Sequence, residues 1–383
     1  MENWSIHELH KQSLKKHNPE ISKSLVNYAR ILHRKKLPVI FTLKHLANIT
    51  HTDYKLLHDT VDRHRESSNY KMFRIRKRSG GFRYIHSVNG KLSNVQKFIN
   101  AEILQQVPQH SSSYAFHKDG GIYRCANQHC KARWLFQFDL KDFFYSINES
   151  TVYKIFKELG YRELLAFEFA RLCTTTRLPS EYKKKWLYSS KKVFPFAKKL
   201  SYRQSLLGVL SQGAPTSPML ANLAAHNLDI ALDEYAQKYD FVYTRYADDI
   251  TISGMEFPEN LSIGKLKREV IHLIRKNHFK ENEKKFRVAG PGSRKRVLGL
   301  LVDGPAPRLS RETYKRIDRL LHAVDKYGFE SVAKHEKFDS AYGLHNHLSG
   351  LVAFTKDVDV GRWKQFLSRL KTIKEKEERG SAT

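Results

Sequence analysis

Three aspartates in this 383-residue chain stand where a carboxylate is costly. Asp248 and Asp249 interrupt the apolar stretch FVYTRYADDITIS (residues 241–253), whose Tyr243, Tyr246, Ile250 and Ile252 favour extended strands. Asp139 closes a short apolar run in FQFDLKDFFYSI (136–147). Taking a carboxylate out of water is unfavourable unless a cation or a set of donors offsets it. A pair of aspartates is also common at a tight turn, and that reading competes for residues 248 and 249 taken alone. Acids at the tips of two separate strands fit a shared divalent-metal site better. Mg²⁺, with Mn²⁺ as a substitute, prefers carboxylate oxygens, and two such ions clamp the attacking and leaving oxygens in phosphoryl transfer. The rest of the chain agrees, with 68 Lys and Arg against 39 Asp and Glu and a formal charge of +29. Such an excess suits a polyanion partner, since basic side chains displace condensed counterions from phosphates. A generally basic soluble protein is the plain alternative.

Those acids need a sheet to hold them and flanking elements to bring a polyanion near. Residues 134–138 read as a buried strand, 241–253 as two strands meeting at Ala247-Asp248-Asp249, and 297–302 as another strand. Residues 70–88 (YKMFRIRKRSGGFRYIHSV) alternate on both sides of Ser79-Gly80-Gly81, the pattern of a two-stranded hairpin. Its arms carry Arg74, Arg76, Lys77, Arg78 and Arg83. Helical spacing marks 21–46, 92–106, a stretch from about 151, 217–235, 261–277 and most of the chain from 310. Strands and helices mix irregularly, which makes the fold class α+β. The highly charged end reads as disordered over 376–383. Cys125, Cys130 and Cys173 are too few for a disulfide framework and point to a reducing compartment. Cys125, His129 and Cys130 form a C-x3-HC cluster, but no second ligand pair follows, so free thiols are expected over zinc. No apolar leader opens the sequence, and no run approaches the roughly 20 apolar residues of a membrane span. A soluble cytoplasmic protein with no membrane partner is expected.

The motifs carry a family resemblance. RYADDITISG resembles the YxDD signature of reverse transcriptases, FDLKDFF their first aspartate motif, and GVLSQGAPTSPMLANL (208–223) their QGxPxSP motif. The 70–88 hairpin with the residues after it is similar to the fingers motif. Asn282-Glu283-Lys284-Lys285 and Val297-Leu298-Gly299-Leu300 resemble the two later palm motifs, and HNHLSGLVAF (345–354) a thumb stretch of bacterial members. The resemblance runs from about residue 25 to 370. It implies a right-hand polymerase, with a helical segment 1–68, fingers 69–133, a palm 134–302 with interleaved fingers segments, and a helical thumb 303–375. It also implies an RNA-directed DNA polymerase using dNTPs, with Asp139, Asp248 and Asp249 as the catalytic, metal-holding acids. Lys77 and Arg83 would grip the incoming triphosphate, a solvated strand face being the alternative. Phe144 falls at the steric gate that excludes a ribose 2′-hydroxyl, or is a core ring beside Phe143. Gln212 and Gly213 open a loop whose amides position nucleotide and template before a helix, with Pro215 and Pro218 fixing the turn. Lys285 would donate a proton to departing pyrophosphate, or is an ordinary surface lysine. Tyr246 and Gly299 would lie against nucleic acid, with 297–301 supporting the primer end. Arg308, Arg311, Lys315, Arg316 and Arg319 of the thumb would grip an RNA duplex beside the apolar stripe of Ile317, Leu320, Leu321 and Val324.

Within the family, the bacterial retron type is the closest resemblance. Its members carry NAxxH before the first aspartate and VTG late in the palm; here the segments read Cys125-Ala126-Asn127-Gln128-His129 and Val297-Leu298-Gly299. Cys125 and Leu298 depart from that pattern. Residues 180–202 exceed the family length, and Trp186, Tyr188, Phe194 and Phe196 among lysines suggest a loop contacting RNA or protein. A surface loop with its own small hydrophobic cluster is the alternative. Retron type implies a structured noncoding RNA as template and primer, priming from a 2′-hydroxyl, and a branched RNA-linked DNA (msDNA). It further implies a toxin or nuclease effector in phage defence. The rival readings are a reverse transcriptase of an abortive-infection, diversity-generating or CRISPR-associated system, and a non-catalytic RNA-binding scaffold, which would have no need of uncompensated acids.

Overall fold

The computed structural model describes residues 5–77, 80–186, 194, 202 and 206–380, with side chains of the last helix described as far as Lys376. Four helices open the chain: α1 (Ile6–Lys16), α2 (Pro19–Arg34), α3 (Leu43–Ile49) and α4 (Tyr54–Val61). Each starts on a side chain that accepts from an amide of its first turn, namely Ser5, Asn18, Thr42 and Asp53. The single helix expected over 21–46 is therefore two. Lys36 turns left-handed at φ 55°, and Pro38 has no amide hydrogen with which to continue a helix.

After α5 (Glu66–Asn69), strands β1 (Tyr70–Arg76) and β2 (Phe82–Val88) pair antiparallel from Tyr70↔Val88 to Arg76↔Phe82, as the alternation requires. Arg78 and Ser79 lie outside the described residues. The helix expected through residue 106 changes pitch: α6 (Gly90–Phe98) passes into a π-helical turn at Ile99–Ile103 and a 3-10 turn at Leu104–Gln106.

The central segment runs α7 (Ile122–Asn127), β3 (Trp134–Asp139), α8 (Glu149–Leu159), α9 (Glu163–Cys173), α10 (Ser180–Trp186), α11 (Ser217–Ala224) and α12 (His226–Lys238). It continues through β4 (Val242–Tyr246), β5 (Asp249–Gly254), α13 (Ile263–Lys276) and β6 (Arg287–Ala289). The sheet order is β4-β5-β3-β6, all antiparallel. One large core joins this sheet (Phe136, Phe138, Ile250, Ile252) to the N-terminal helices (Leu32, Leu46, Leu57) and to α9 and α11–α13 (Phe167, Leu220, Leu232, Val270). Most of the hydrophobic stabilisation resides there.

The strand expected at 297–302 is instead a tight hairpin, β7 (Arg296–Val297) and β8 (Leu300–Leu301). Leu298 and Gly299 both take positive φ, 49° and 89°, as a two-residue hairpin turn demands. Three helices follow, α14 (Arg311–His335), kinked at Gly328 (φ 74°), α15 (Ala341–Thr355) and α16 (Val360–Gly380). They enclose their own core around Leu320, Leu344, Leu348 and Phe366. Helix α16 continues through 376–380, so disorder from 376 onward does not hold there; residues 381–383 lie outside the described residues. Together the parts make an α+β right-hand polymerase architecture, its sheet flanked by helices and followed by a helical bundle.

Candidate active site

The palm sheet sets Asp139 and Asp249 opposite one another by register, with Asp248 in the adjoining turn. Asp139, last residue of β3, lies directly opposite Asp249, first residue of β5, and Asp249 in turn pairs with Tyr246 of β4. Opposed residues on an antiparallel pair share a face and have Cβ atoms about 5 Å apart. Asp248 sits in the β4–β5 turn, where its carbonyl accepts from the Leu140 amide at 2.9 Å. Asp139 is buried, and its carboxylate is already engaged: Lys285 Nζ lies 2.5 Å from Oδ2, and Asn282 Nδ2 donates to Oδ1 at 2.9 Å. Burial, followed by the charge of Asp139, raises the Asp248 carboxyl above its usual range. Asp249 meets solvent at its outer edge but is crowded by protein elsewhere; that desolvation, then Asp248 and Asp139, lifts its carboxyl to about 6. Burial works to lower the Lys285 ammonium, but its hydrogen bond to Asp139 and the surrounding carboxylates raise it overall.

Among the described residues no three His, Cys, Asp or Glu side chains are gathered as a ready metal cage, and the Asp139 carboxylate faces Lys285 and Asn282. The donor set nevertheless fits a hard divalent cation. All the ligating atoms Asp139, Asp248 and Asp249 can offer are oxygens, the donor type such a cation prefers.

A buried ion network that sequence reasoning missed holds the turn. Arg245, fully buried in β4, donates from Nε and Nη2 to the two oxygens of Asp229 on α12, both at 2.6 Å. Its Nη1 reaches the Ala247 carbonyl and Asn222 Oδ1, each at 3.1 Å. Ala247 is left-handed at φ 56°, a conformation a non-glycine residue keeps only when its surroundings fix it. The signal was present, since an arginine inside an apolar strand must have an acid waiting for it. His129, in the turn after α7, does similar work. Its two ring nitrogens meet Ser253 Oγ and Thr244 Oγ1, each at 2.7 Å, and burial pushes the imidazole down to about 3. Both ring nitrogens of His129 are thus taken by hydroxyls, while Cys125 is a buried thiol against Thr244.

Beside the acids opens a cavity of about 710 Å³, lined by Asp139 and Asp248 from the palm, Lys77, Gly80 and Arg83 from the β1–β2 hairpin, and Phe144, Gln212 and Lys285. Six of the residues expected around a nucleotide therefore share one wall with two of the acids or face them across it: Lys77, Arg83, Phe144, Gln212 and Lys285 directly, and Gly213 from behind. Gly213, at φ 112°, packs so closely on β2 that a Cβ would meet the His86 carbonyl oxygen at 2.4 Å. The Gln212 carbonyl accepts from the His86 amide at 2.8 Å. Phe144 is half-buried, its ring 5.7 Å from Phe143 and 6.4 Å from Phe116, which also neighbours Tyr246 at 6.5 Å.

Farther out, Gly299 lies in the β7–β8 turn beside Arg287, Arg294 and Arg296. On α14 and just before it, Arg308, Arg311 and Lys315 are exposed. Arg316 is turned to His347 at 3.0 Å and Arg319 to Glu336 at 3.2 Å, so these two cations are engaged within the bundle. A second network missed in the sequence ties the N-terminal helices to the loop before SQGAP. Buried Glu149 accepts from Arg63 and Arg171, each at 2.6 Å, and from the Gly208 amide at 2.9 Å. In the 180–202 segment, Phe194 is buried against Phe167 and Tyr153 and Tyr202 donates to Glu168 at 2.7 Å, so both anchor to the main core; Tyr188 and Phe196 lie outside the described residues.

Residues 75–302 match the family "Reverse transcriptase (RNA-dependent DNA polymerase)". Among curated proteins, the chain is 25% identical over 342 residues to Retron Ec86 reverse transcriptase of Escherichia coli, covering 89% of this chain and 92% of that one. It is 30% identical over 297 residues to Retron Ec73 reverse transcriptase of Escherichia coli, covering 76% of this chain and 83% of that one. Retron Mx65 reverse transcriptase of Myxococcus xanthus is 31% identical over 303 residues, 79% of this chain and 64% of its own length. No helix among the described residues is long and apolar enough to cross a membrane. The chain belongs to the reverse transcriptase family, as an RNA-directed DNA polymerase of the bacterial retron type.

Proposed function

We propose that the chain copies a structured noncoding RNA, acting as template and primer, into a DNA that stays joined to it as msDNA. The observation that carries this reading is the register opposing Asp139 to Asp249 beside a cavity lined by Lys77, Arg83, Phe144, Gln212 and Lys285. Asp139, Asp248 and Asp249 would hold divalent metal, Mg²⁺ with Mn²⁺ as a substitute, in keeping with the metal dependence of the family. Bound there, the metal supplies charge neutralisation for the reacting phosphoryl oxygens. Lys77 and Arg83 draw the dNTP polyphosphate toward the acids, and Phe144 denies space to a ribose 2′-hydroxyl. Gln212 and Gly213 set the template base, Lys285 hands a proton to departing pyrophosphate, and Tyr246 and Gly299 bear on the primer strand. Arg308, Arg311 and Lys315 grip the duplex by its phosphates. Arg316 and Arg319 join them only by leaving His347 and Glu336.

A toxin or nuclease effector, held by the complex in phage defence, completes the reading, with the cytoplasm as its place of action. Sequencing the nucleic acid that co-purifies with the protein tests it. One RNA species carrying a covalently attached, complementary DNA is expected; a heterogeneous mixture without attached DNA would overturn the msDNA reading.

A further inference from the structure

Helix α10 opens the 180–202 segment and reaches the cavity beside the acids through Tyr182. Glu181, Tyr182 and Lys185 fall on one face of that helix, spaced i, i+1 and i+4. The Glu181 carboxylate, facing β2, raises the Tyr84 hydroxyl above its usual range. Tyr182 lines the cavity and packs on Tyr145 at 5.2 Å and Tyr84 at 6.0 Å, bridging the hairpin and the palm. Lys185 Nζ lies 2.5 Å from Asp142 Oδ2 and 4.4 Å from the centre of the Trp186 ring, which steadies its long side chain.

Asp142 is a liability for a polyphosphate. It stands three residues after Asp139, held left-handed at φ 54°, and lines the same cavity as Lys77 and Arg83. An anion approaching those two cations meets the Asp142 carboxylate unless that charge is neutralised. Lys185 is placed to do this, its side chain 41% exposed and that of Asp142 17%.

We propose that α10 completes the nucleotide site, with Tyr182 closing its wall and Lys185 cancelling the charge of Asp142 so that the incoming dNTP binds tightly. This rests on the reading of the cavity as the dNTP site. Lys185 is a positioning residue, since it acts on the nucleotide through Asp142.

The test is single-nucleotide incorporation by the full chain on an RNA template with a DNA primer, at varied dNTP concentration. Lys185→Gln is expected to raise the dNTP KM about three- to fivefold, the scale of one partly exposed charge pair, with kcat held within about twofold. Adding Asp142→Asn to that variant should return KM most of the way, and Lys185→Arg should behave as wild type. An unchanged KM in Lys185→Gln, a rise that Asp142→Asn does not relieve, or a loss confined to kcat would overturn the proposal. A wild-type chain that extends no primer would instead overturn the reading of the cavity itself. Thermal melting of each variant separates these outcomes from loss of fold.

Discussion

Replacing Arg245 by methionine separates the stability of the palm from the positioning of its acids. Arg245 is fully buried and Asp229 nearly so, with two hydrogen bonds of 2.6 Å joining them. Removing the cation leaves an uncompensated buried carboxylate, a loss of about 3–5 kcal/mol. The turn has its own balance. The guanidinium bond to the Ala247 carbonyl at 3.1 Å contributes about 1.5–3 kcal/mol, while a left-handed non-glycine residue costs about 1–3 kcal/mol. These are equal in scale, so without the bond the 247–248 turn no longer holds one conformation. A shift of about 1.4 kcal/mol against the productive geometry is tenfold in rate, which makes a tenfold loss of polymerisation the least expected. In the double variant Arg245→Met/Asp229→Asn no buried charge remains, and asparagine still accepts from the Tyr243 hydroxyl, which lies 2.7 Å from Asp229 Oδ1. Urea unfolding should then recover most of the lost stability while primer extension stays low. A double variant that regains both, or Arg245→Met polymerising at the wild-type rate, would refute a positioning role for Arg245.

Three further outcomes are expected. His129 is buried neutral, with its folded pKa depressed to about 3, so its contribution is present above the unfolded value near 6.5 and is lost as pH falls below it, at up to about 1.4 kcal/mol per unit. Comparing urea unfolding of His129→Gln and wild type between pH 7 and 5 should show the variant losing less with acid; parallel curves would contradict this. Gly213→Ala, whose Cβ would fall 2.4 Å from the His86 carbonyl oxygen at φ 112°, should lower incorporation at least about tenfold by displacing the 212–216 loop, and activity near wild type would show that the loop tolerates the shift. Phe144→Ala should narrow the preference for dNTP over rNTP in competition assays, whereas unchanged discrimination would return that ring to the core with Phe143.

Much of the site was legible because its chemistry is local in sequence. Asp248 falls in a turn and Asp249 opens the strand after it, Asp139 ends another strand, and period-two patterning marked the strands that carry them. Gln212 and Gly213 could be singled out as a loop before a helix, but not the close approach of Gly213 to the His86 carbonyl. The pitch change after Phe98 and the break at Lys36 follow from tertiary packing that spacing alone does not encode. The same holds for the pairing of Arg245 with Asp229, 16 residues apart, and of Arg63 with Glu149, 86 apart: an arginine inside an apolar strand signals that an acid is needed, but only the fold shows which one. The engagement of Arg316 with His347 was hidden for that reason, and so was the contact of Lys185 with Asp142. Extension of α16 to Gly380 went against the charge pattern; Lys376 pairs with Asp325 of α14 at 2.7 Å, a contact that composition cannot display.

The most direct measurement is extension of a DNA primer on an RNA template with dNTPs and Mg²⁺, by the wild-type chain and by Asp248→Ala/Asp249→Ala. The wild-type chain should synthesise DNA that depends on added divalent metal, and the double variant should synthesise none while melting as a folded protein. DNA synthesis by the double variant at a rate comparable to wild type would contradict the assignment of these aspartates to the reaction.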